Sequence, residues 1–268
     1  MTRLVRVELL KLRTVRLPAG LLITAAGLTA LFATVEASQA GRASSSIGSL
    51  ASGPGLSAVT TVTGWALLLA AVLGVTISSG EFRYGTATLT YLAAPSRVRV
   101  LAAKAIAAGC AGALFGLVAG VIATGTGLAF TVGRGYRVTL GAGVLAGHVA
   151  GAVVGAALLA ALGAGLGSLV RSQLAGIVGV FVWGLVIESV LGGVFPSIHP
   201  YLPYTAATTL AGVTLGAGPG GFRVAVKTHS AAAVPVPLPF AAATALVAGV
   251  AVAICVVAAR TTVRRDVT

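Results

Sequence analysis

Residues 59–79 read VTTVTGWALLLAAVLGVTISS and run straight into Gly80-Glu81-Phe82-Arg83-Tyr84-Gly85-Thr86. The first piece carries no charge from Val59 to Ser79, about the 20 residues a helix needs to cross a hydrocarbon core at roughly 1.5 Å per residue. The second opens a charged island that continues through Pro95-Ser96-Arg97-Val98-Arg99 to Lys104 and ends at another apolar run, Ala105 to Val132. A charged segment between two spanning helices stands in water on one side of a membrane.

The rest of the chain agrees. With 268 residues, 57% of them hydrophobic and only 9% charged, and a mean hydropathy of +1.03, it lies far from soluble domains, which are about 25% charged. The expected fold is all-α: a polytopic membrane protein with a single transmembrane domain over residues 1–268. Its six spans fall at Leu17 to Val35, Val59 to Ser79, Ala105 to Val132, Leu140 to Val170, Leu174 to Phe195 and Phe240 to Ala259. Six crossings put both termini on one side. With the termini inside, thirteen Lys and Arg residues fall on inner segments and five on outer ones, which by the positive-inside rule makes that side cytoplasmic.

The net charge of +13 does not indicate nucleic-acid binding, because it is spread over helix ends rather than gathered on one face. The first apolar run is longer than the 7 to 15 residues typical of a signal-peptide core, so an uncleaved span is expected. Cys110 and Cys255 both fall inside spans and provide no disulfide framework. Their expected role is packing.

Residues 1–16 hold five basic side chains and one acid, Glu8, and are expected to form an interfacial helix held by anionic headgroups. Residues 80–104 form the cytoplasmic loop. The outer segment 196–239 contains an apolar stretch, Tyr204 to Leu215, too short to span, which predicts a re-entrant or surface-lying helix that caps the bundle. Glycine is abundant, 37 residues, and regularly spaced. Gly112, Gly116 and Gly120 in the third span, and Gly143, Gly147, Gly151 and Gly155 in the fourth, predict close helix packing. That packing lies within one bundle or between subunits.

The pattern Gly80-Glu81-Phe82-Arg83-Tyr84-Gly85-Thr86-Ala87-Thr88, with Ala94-Pro95-Ser96-Arg97 and Lys104, resembles the first cytoplasmic loop of ABC-2-type transporter permeases. Glu8-Leu9-Leu10-Lys11-Leu12-Arg13-Thr14 before the first span and Tyr201-Leu202-Pro203-Tyr204 after the fifth are similar to that family too. The resemblance implies a six-span permease subunit of an ABC exporter in a cytoplasmic membrane, built as a homodimer or with a close paralogue. Its loop would seat in two copies of a separate cytosolic ATPase. On that reading Glu81, Phe82, Arg83, Tyr84, Gly85 and Thr86 form the coupling element, with Phe82 and Tyr84 as aromatic anchors and Glu81 paired with Arg83. Gly85 would end one helix, Thr86 cap the next, and Pro95 close the segment before Ser96 opens the third span. The alternative is an ordinary inner loop of interfacial aromatics and positive-inside residues.

No phosphate loop is present, because the three lysines follow Leu10, Ala103 and Val226 rather than glycine. Cofactors within this chain are therefore none, and ATP and Mg would belong to the partner. HExxH and GxSxG are also absent, so neither a metal site nor an enzyme is expected. Glu188 is the one acid inside a span. A buried ionised acid is costly, so it is expected to line a path, to pair with His199 or Arg223, or to sit protonated or snorkelling at the interface. His148, alone on its helix, is expected to pack or hydrogen-bond rather than act as a ligand. In transporters of this resemblance the path runs between the second and fifth spans of facing protomers. That implies Thr60, Thr63, Leu67, Trp183, Ile187 and Glu188 as path candidates, the first three on one helical face.

Two other functions remain open: a proton- or ion-coupled secondary transporter, and a membrane subunit with no transport of its own. Fifteen of the eighteen basic residues are arginine, which suits a GC-rich bacterial genome. An apolar, glycine-rich bundle suits an amphipathic or lipid-like cargo, antibiotic or lipid, better than a sugar or an ion.

Overall fold

The computed structural model describes residues 1–42, 48–83, 96–213 and 236–261, all helical or connecting, with no strand among them. The helices are α1 (Thr2–Thr14), α2 (Arg16–Gln39), α3 (Gly53–Thr60), α4 (Gly64–Arg83), α5 (Arg97–Gly133), α6 (Ala142–Val170), α7 (Gln173–Phe181), α8 (Glu188–Val194), α9 (Pro203–Leu210) and α10 (Phe240–Thr261). A π-helical segment, Val182–Ile187, joins α7 to α8, and a 3-10 turn, His199–Tyr201, precedes α9. Six helical segments are long and apolar enough to cross a membrane, at Arg16–Gln39, Gly53–Glu81, Val98–Gly133, Ala142–Val170, Gln173–Val194 and Phe240–Thr261.

The second span is the hub. Of its most apolar window 89% is buried inside the chain, against 17% for the first and sixth spans and 22% for the fifth. Leu67, Leu68, Leu73 and Val75 are fully enclosed. The helix α6 lies beside α4 and also meets α5, α9 and α10. The first, fifth and sixth spans are left on the perimeter, with their apolar faces outward.

The second span is not one continuous helix. It ends at Thr60, turns through Thr61-Val62-Thr63 and restarts at Gly64. Three of the residues around the break are β-branched threonines and one is valine, stiff at χ1 and weak in helices. Their hydroxyls turn back on the chain: Thr61 Oγ1 donates to Ser57 O at 2.9 Å and Thr60 Oγ1 to the same carbonyl at 3.1 Å. The expected helical face is interrupted between Thr60 on α3 and Thr63 on the turn, while Thr63 and Leu67 stay one helical turn apart, the Leu67 N–H donating to Thr63 O at 3.1 Å.

The third span starts earlier than the apolar run suggests. The helix α5 begins at Arg97 with Ser96 at the N-cap, without a side-chain capping bond, and runs 37 residues. At 1.5 Å per residue that is about 55 Å, well beyond a hydrocarbon core of about 30 Å. The helix is therefore longer than one crossing requires.

Close approach explains most of the patterned glycines. A Cβ on Gly112 would lie 2.5 Å from the Ala156 carbonyl oxygen, Gly116 faces the Ala152 carbonyl, and Gly120 faces Val149, so this triplet seats α5 on α6. Gly151 and Gly155 meet the Leu210 and Ala207 carbonyls of α9. Gly147, expected to pack, and Gly143 meet nothing within 4 Å, because the start of α6 stands clear of its neighbours. Gly74 of α4, outside any regular spacing, faces the Ala160 carbonyl of α6. Substituting Gly116→Val is expected to cost about 1–3 kcal/mol by overpacking. By contrast Gly147→Ala is expected to be neutral or mildly stabilising. Thermal unfolding of the two purified variants in detergent distinguishes them.

Candidate functional site

Two constellations stand out, one at each end of the bundle. At the end rich in Lys and Arg, α1, the last turn of α4 and the start of α5 meet in a set of two acids and two bases. Lys11 Nζ lies 2.7 Å from Glu8 Oε1 and 3.0 Å from Glu81 Oε1. Lys104 Nζ lies 2.7 Å from Glu81 Oε1 and 3.6 Å from Glu8 Oε2. Lys104 is 3% and Glu8 6% exposed, so each needs the others, because an unpaired charge at that burial is strongly disfavoured. Burial opposes the charge on Lys11, but hydrogen bonds to Glu8 and Glu81 outweigh it and hold the ammonium above its ordinary value.

Glu81 turns to Lys104 and Lys11; the side chain of Arg83, its expected partner, lies outside the described residues. Phe82 and Arg83 end α4, while Tyr84, Gly85, Thr86 and Pro95 lie outside the described residues, as does Arg223. The helix α1, expected to rest on headgroups, is also fastened to the protein through buried Glu8. The signal for that was the presence of one acid among five bases.

At the opposite end Glu188, 1% exposed, collects four donors. Trp183 Nε1 donates to Oε1 at 2.7 Å and the Tyr204 N–H to the same oxygen at 2.8 Å. The Thr205 N–H donates to Oε2 at 2.8 Å and the Thr205 hydroxyl at 2.9 Å. All four are donors, so the group that fits is an acceptor on both oxygens, a carboxylate.

The local sequence explains the geometry. α9 begins with Pro203, which lacks an N–H, and its N-cap Leu202 has no capping side chain. Glu188 therefore caps α9 from a distant helix, at the positive end of the helix dipole. The π segment, closed by i→i+5 bonding, brings Trp183 and Glu188 to one side. Tyr204 Oη then donates to Gly64 O at 3.0 Å, which ties the start of α4 to the same knot. Of the expected partners, His199 is not used, its ring lying against Gly192 instead, and Arg223 lies outside the described residues. Capping of a helix sixteen residues away leaves no mark in local spacing, so sequence reading missed it.

Of the other path candidates, Thr60, Thr63 and Leu67 are 0–1% exposed. Thr60 lies against Gly127 of α5 and Leu67 against Gly155 of α6, so both point into this chain. Thr60 Oγ1 and His148 Nδ1 share a hydrogen bond of 2.9 Å, the role expected for His148. Trp183 is 44% exposed, and Ile187 is half-buried. Trp183 also lines an apolar groove of about 370 Å3 over α6, between the fifth and sixth spans, with Leu68, Leu162, Leu166, Tyr204 and Ile254. No group of three or more His, Cys, Asp or Glu suited to a metal occurs among the described residues.

The fold and these sites define a class: an all-helical, multi-pass membrane protein, built on six segments able to span. No protein-family model matches the chain, and comparison with curated proteins finds no match.

Proposed function

We propose that this protein is the permease subunit of an ATP-driven ABC-2-type exporter. Two copies, or this chain and a close paralogue, would form the pathway in a bacterial cytoplasmic membrane. Two cytosolic ATPase subunits would bind ATP and Mg and act on the island between Glu81 and Lys104. The observation that carries this reading is the ion-pair set. Glu81 and Lys104 stand at the two stems of the island, and their 2.7 Å contact, shared with Glu8 and Lys11 of α1, gives a push on the island a firm base. Force on the loop would pass directly to the second span, the most enclosed helix. The apolar groove at Trp183 supports an amphipathic or lipid-like cargo, such as an antibiotic or a lipid.

The expected experiment is copurification with the product of the neighbouring gene, tested for ATP hydrolysis. A stable complex is expected, with ATP hydrolysis lost or uncoupled in Arg83→Ala/Tyr84→Ala while the permease stays folded. No complex, or one indifferent to that change, contradicts the proposal. A secondary transporter is favoured by one observation, the interruption of the second and fifth spans, a feature of that class. Against it, both Glu188 oxygens are occupied by donors of the same chain. Uptake driven by a pH gradient in vesicles without ATP would favour it.

A further inference from the structure

A second groove, of about 500 Å3, opens at the basic end between α1, α2, α4 and the start of α7. Its lining includes Lys11, Thr14, Leu17, Leu73, Ile77 and Gln173. Three spans have an end here, at Arg16, Glu81 and Gln173, which places the mouth at the headgroup layer. From Glu81 to Leu73 the wall runs eight residues down α4, about 12 Å into the hydrocarbon. The groove is polar at the mouth and apolar below.

Charge selects the occupant. The two acids at the mouth, Glu8 and Glu81, are already met by Lys11 and Lys104. Arg3, Arg6, Arg13 and Arg16 are exposed, and none of them pairs with either acid. The Lys11 side chain is 46% exposed. Its ammonium has three protons, of which Glu8 and Glu81 take two. One donor remains beside an apolar slot.

We infer that this groove seats one anionic phospholipid. Its phosphate lies against Lys11, the basic residue of the lining, at the α1–α2 elbow. Thr14, Val15 and Leu17 of that elbow line the groove, and the exposed Arg13 and Arg16 adjoin them in sequence. The upper acyl methylenes run along Leu17, Leu73 and Ile77. Basic pockets between spans on one membrane face are suited to such headgroups, and the volume lies within the range of small-molecule sites, about 300–1,000 Å3.

The test titrates the full chain in detergent with phosphatidylglycerol, phosphatidylethanolamine, phosphatidylcholine or inorganic phosphate, and reads retained lipid by native mass spectrometry and the shift in Tm. One phosphatidylglycerol per chain is expected to be retained in preference to the others. The exposed-residue variant Arg13→Gln/Arg16→Gln is expected to weaken it roughly thirtyfold at low salt, from about 1 kcal/mol per basic residue. Ile77→Trp, which fills the slot without changing charge, is expected to abolish stoichiometric retention. Equal retention of phosphatidylcholine or phosphatidylethanolamine, an equal Tm shift with inorganic phosphate, or full retention in Ile77→Trp overturns the inference.

Discussion

Replacing Glu188 with alanine is expected to lower the stability of the purified protein by about 3–5 kcal/mol. The change strands four donors in a site 1% exposed. Each buried donor left without a partner costs about 1–3 kcal/mol, and water entering the vacated space recovers part of that. The substitution also removes the side chain that caps α9, which holds α4 through Tyr204 and Gly64. Glu188→Gln keeps the shape but turns one acceptor oxygen into a donor, so one oxygen's pair of donors faces an NH2 group. Its expected loss is about 2–3 kcal/mol. If Glu188 were instead a free acid lining a water-filled path, both changes would leave unfolding nearly unchanged and alter transport alone. Thermal or denaturant unfolding in detergent separates the outcomes, and a loss below about 1 kcal/mol for Glu188→Ala contradicts the knot.

Lys104→Ala is expected to cost about 3–5 kcal/mol, because it leaves Glu81 and Glu8 partly buried with one half-exposed ammonium between them. Lys11→Ala is expected to cost about 1 kcal/mol or less, since its side chain is 46% exposed and partly screened by water. The ordering distinguishes a cooperative buried set from ordinary surface pairs, which would respond alike. Combining Lys104→Met with Glu81→Gln removes one charge of each sign and is expected to recover most of the loss. The contribution of Lys11 follows from its raised pKa. It is fully present through neutral pH and is lost only as the pH climbs past 10.5. Unfolding measured across alkaline pH in wild type and Lys11→Ala is expected to converge there.

Much of the fold was legible because hydropathy reports spans directly. Each of the six apolar runs coincides with a spanning helix, the second and third helices starting six or more residues ahead of their runs. The GxxxGxxxG of the third span was legible because a four-residue period is itself the geometry of helix contact. The break at Thr61 was not, since hydropathy does not distinguish a β-branched turn from a helix. Gly74 was missed for want of a period, and Gly147 fits the period but meets nothing among the described residues of its own chain. Charge pairing was read locally and did not find the long-range contacts of Glu81, which meets Lys104 and Lys11 across the fold, partners that no local spacing encodes. The same holds for Glu188, whose partners Tyr204 and Thr205 lie on a separate short helix.

The most direct measurement of the central claim is the sidedness of the island. In a chain with Cys110 and Cys255 replaced by alanine, Tyr84→Cys and Arg137→Cys are introduced singly and treated with a membrane-impermeant maleimide. Labelling of Arg137→Cys in intact cells is expected, with Tyr84→Cys labelled only in inverted vesicles and protected there by the ATPase partner. Labelling of Tyr84→Cys from outside the cell, or no protection by the partner, contradicts a cytosolic island driven by a separate motor.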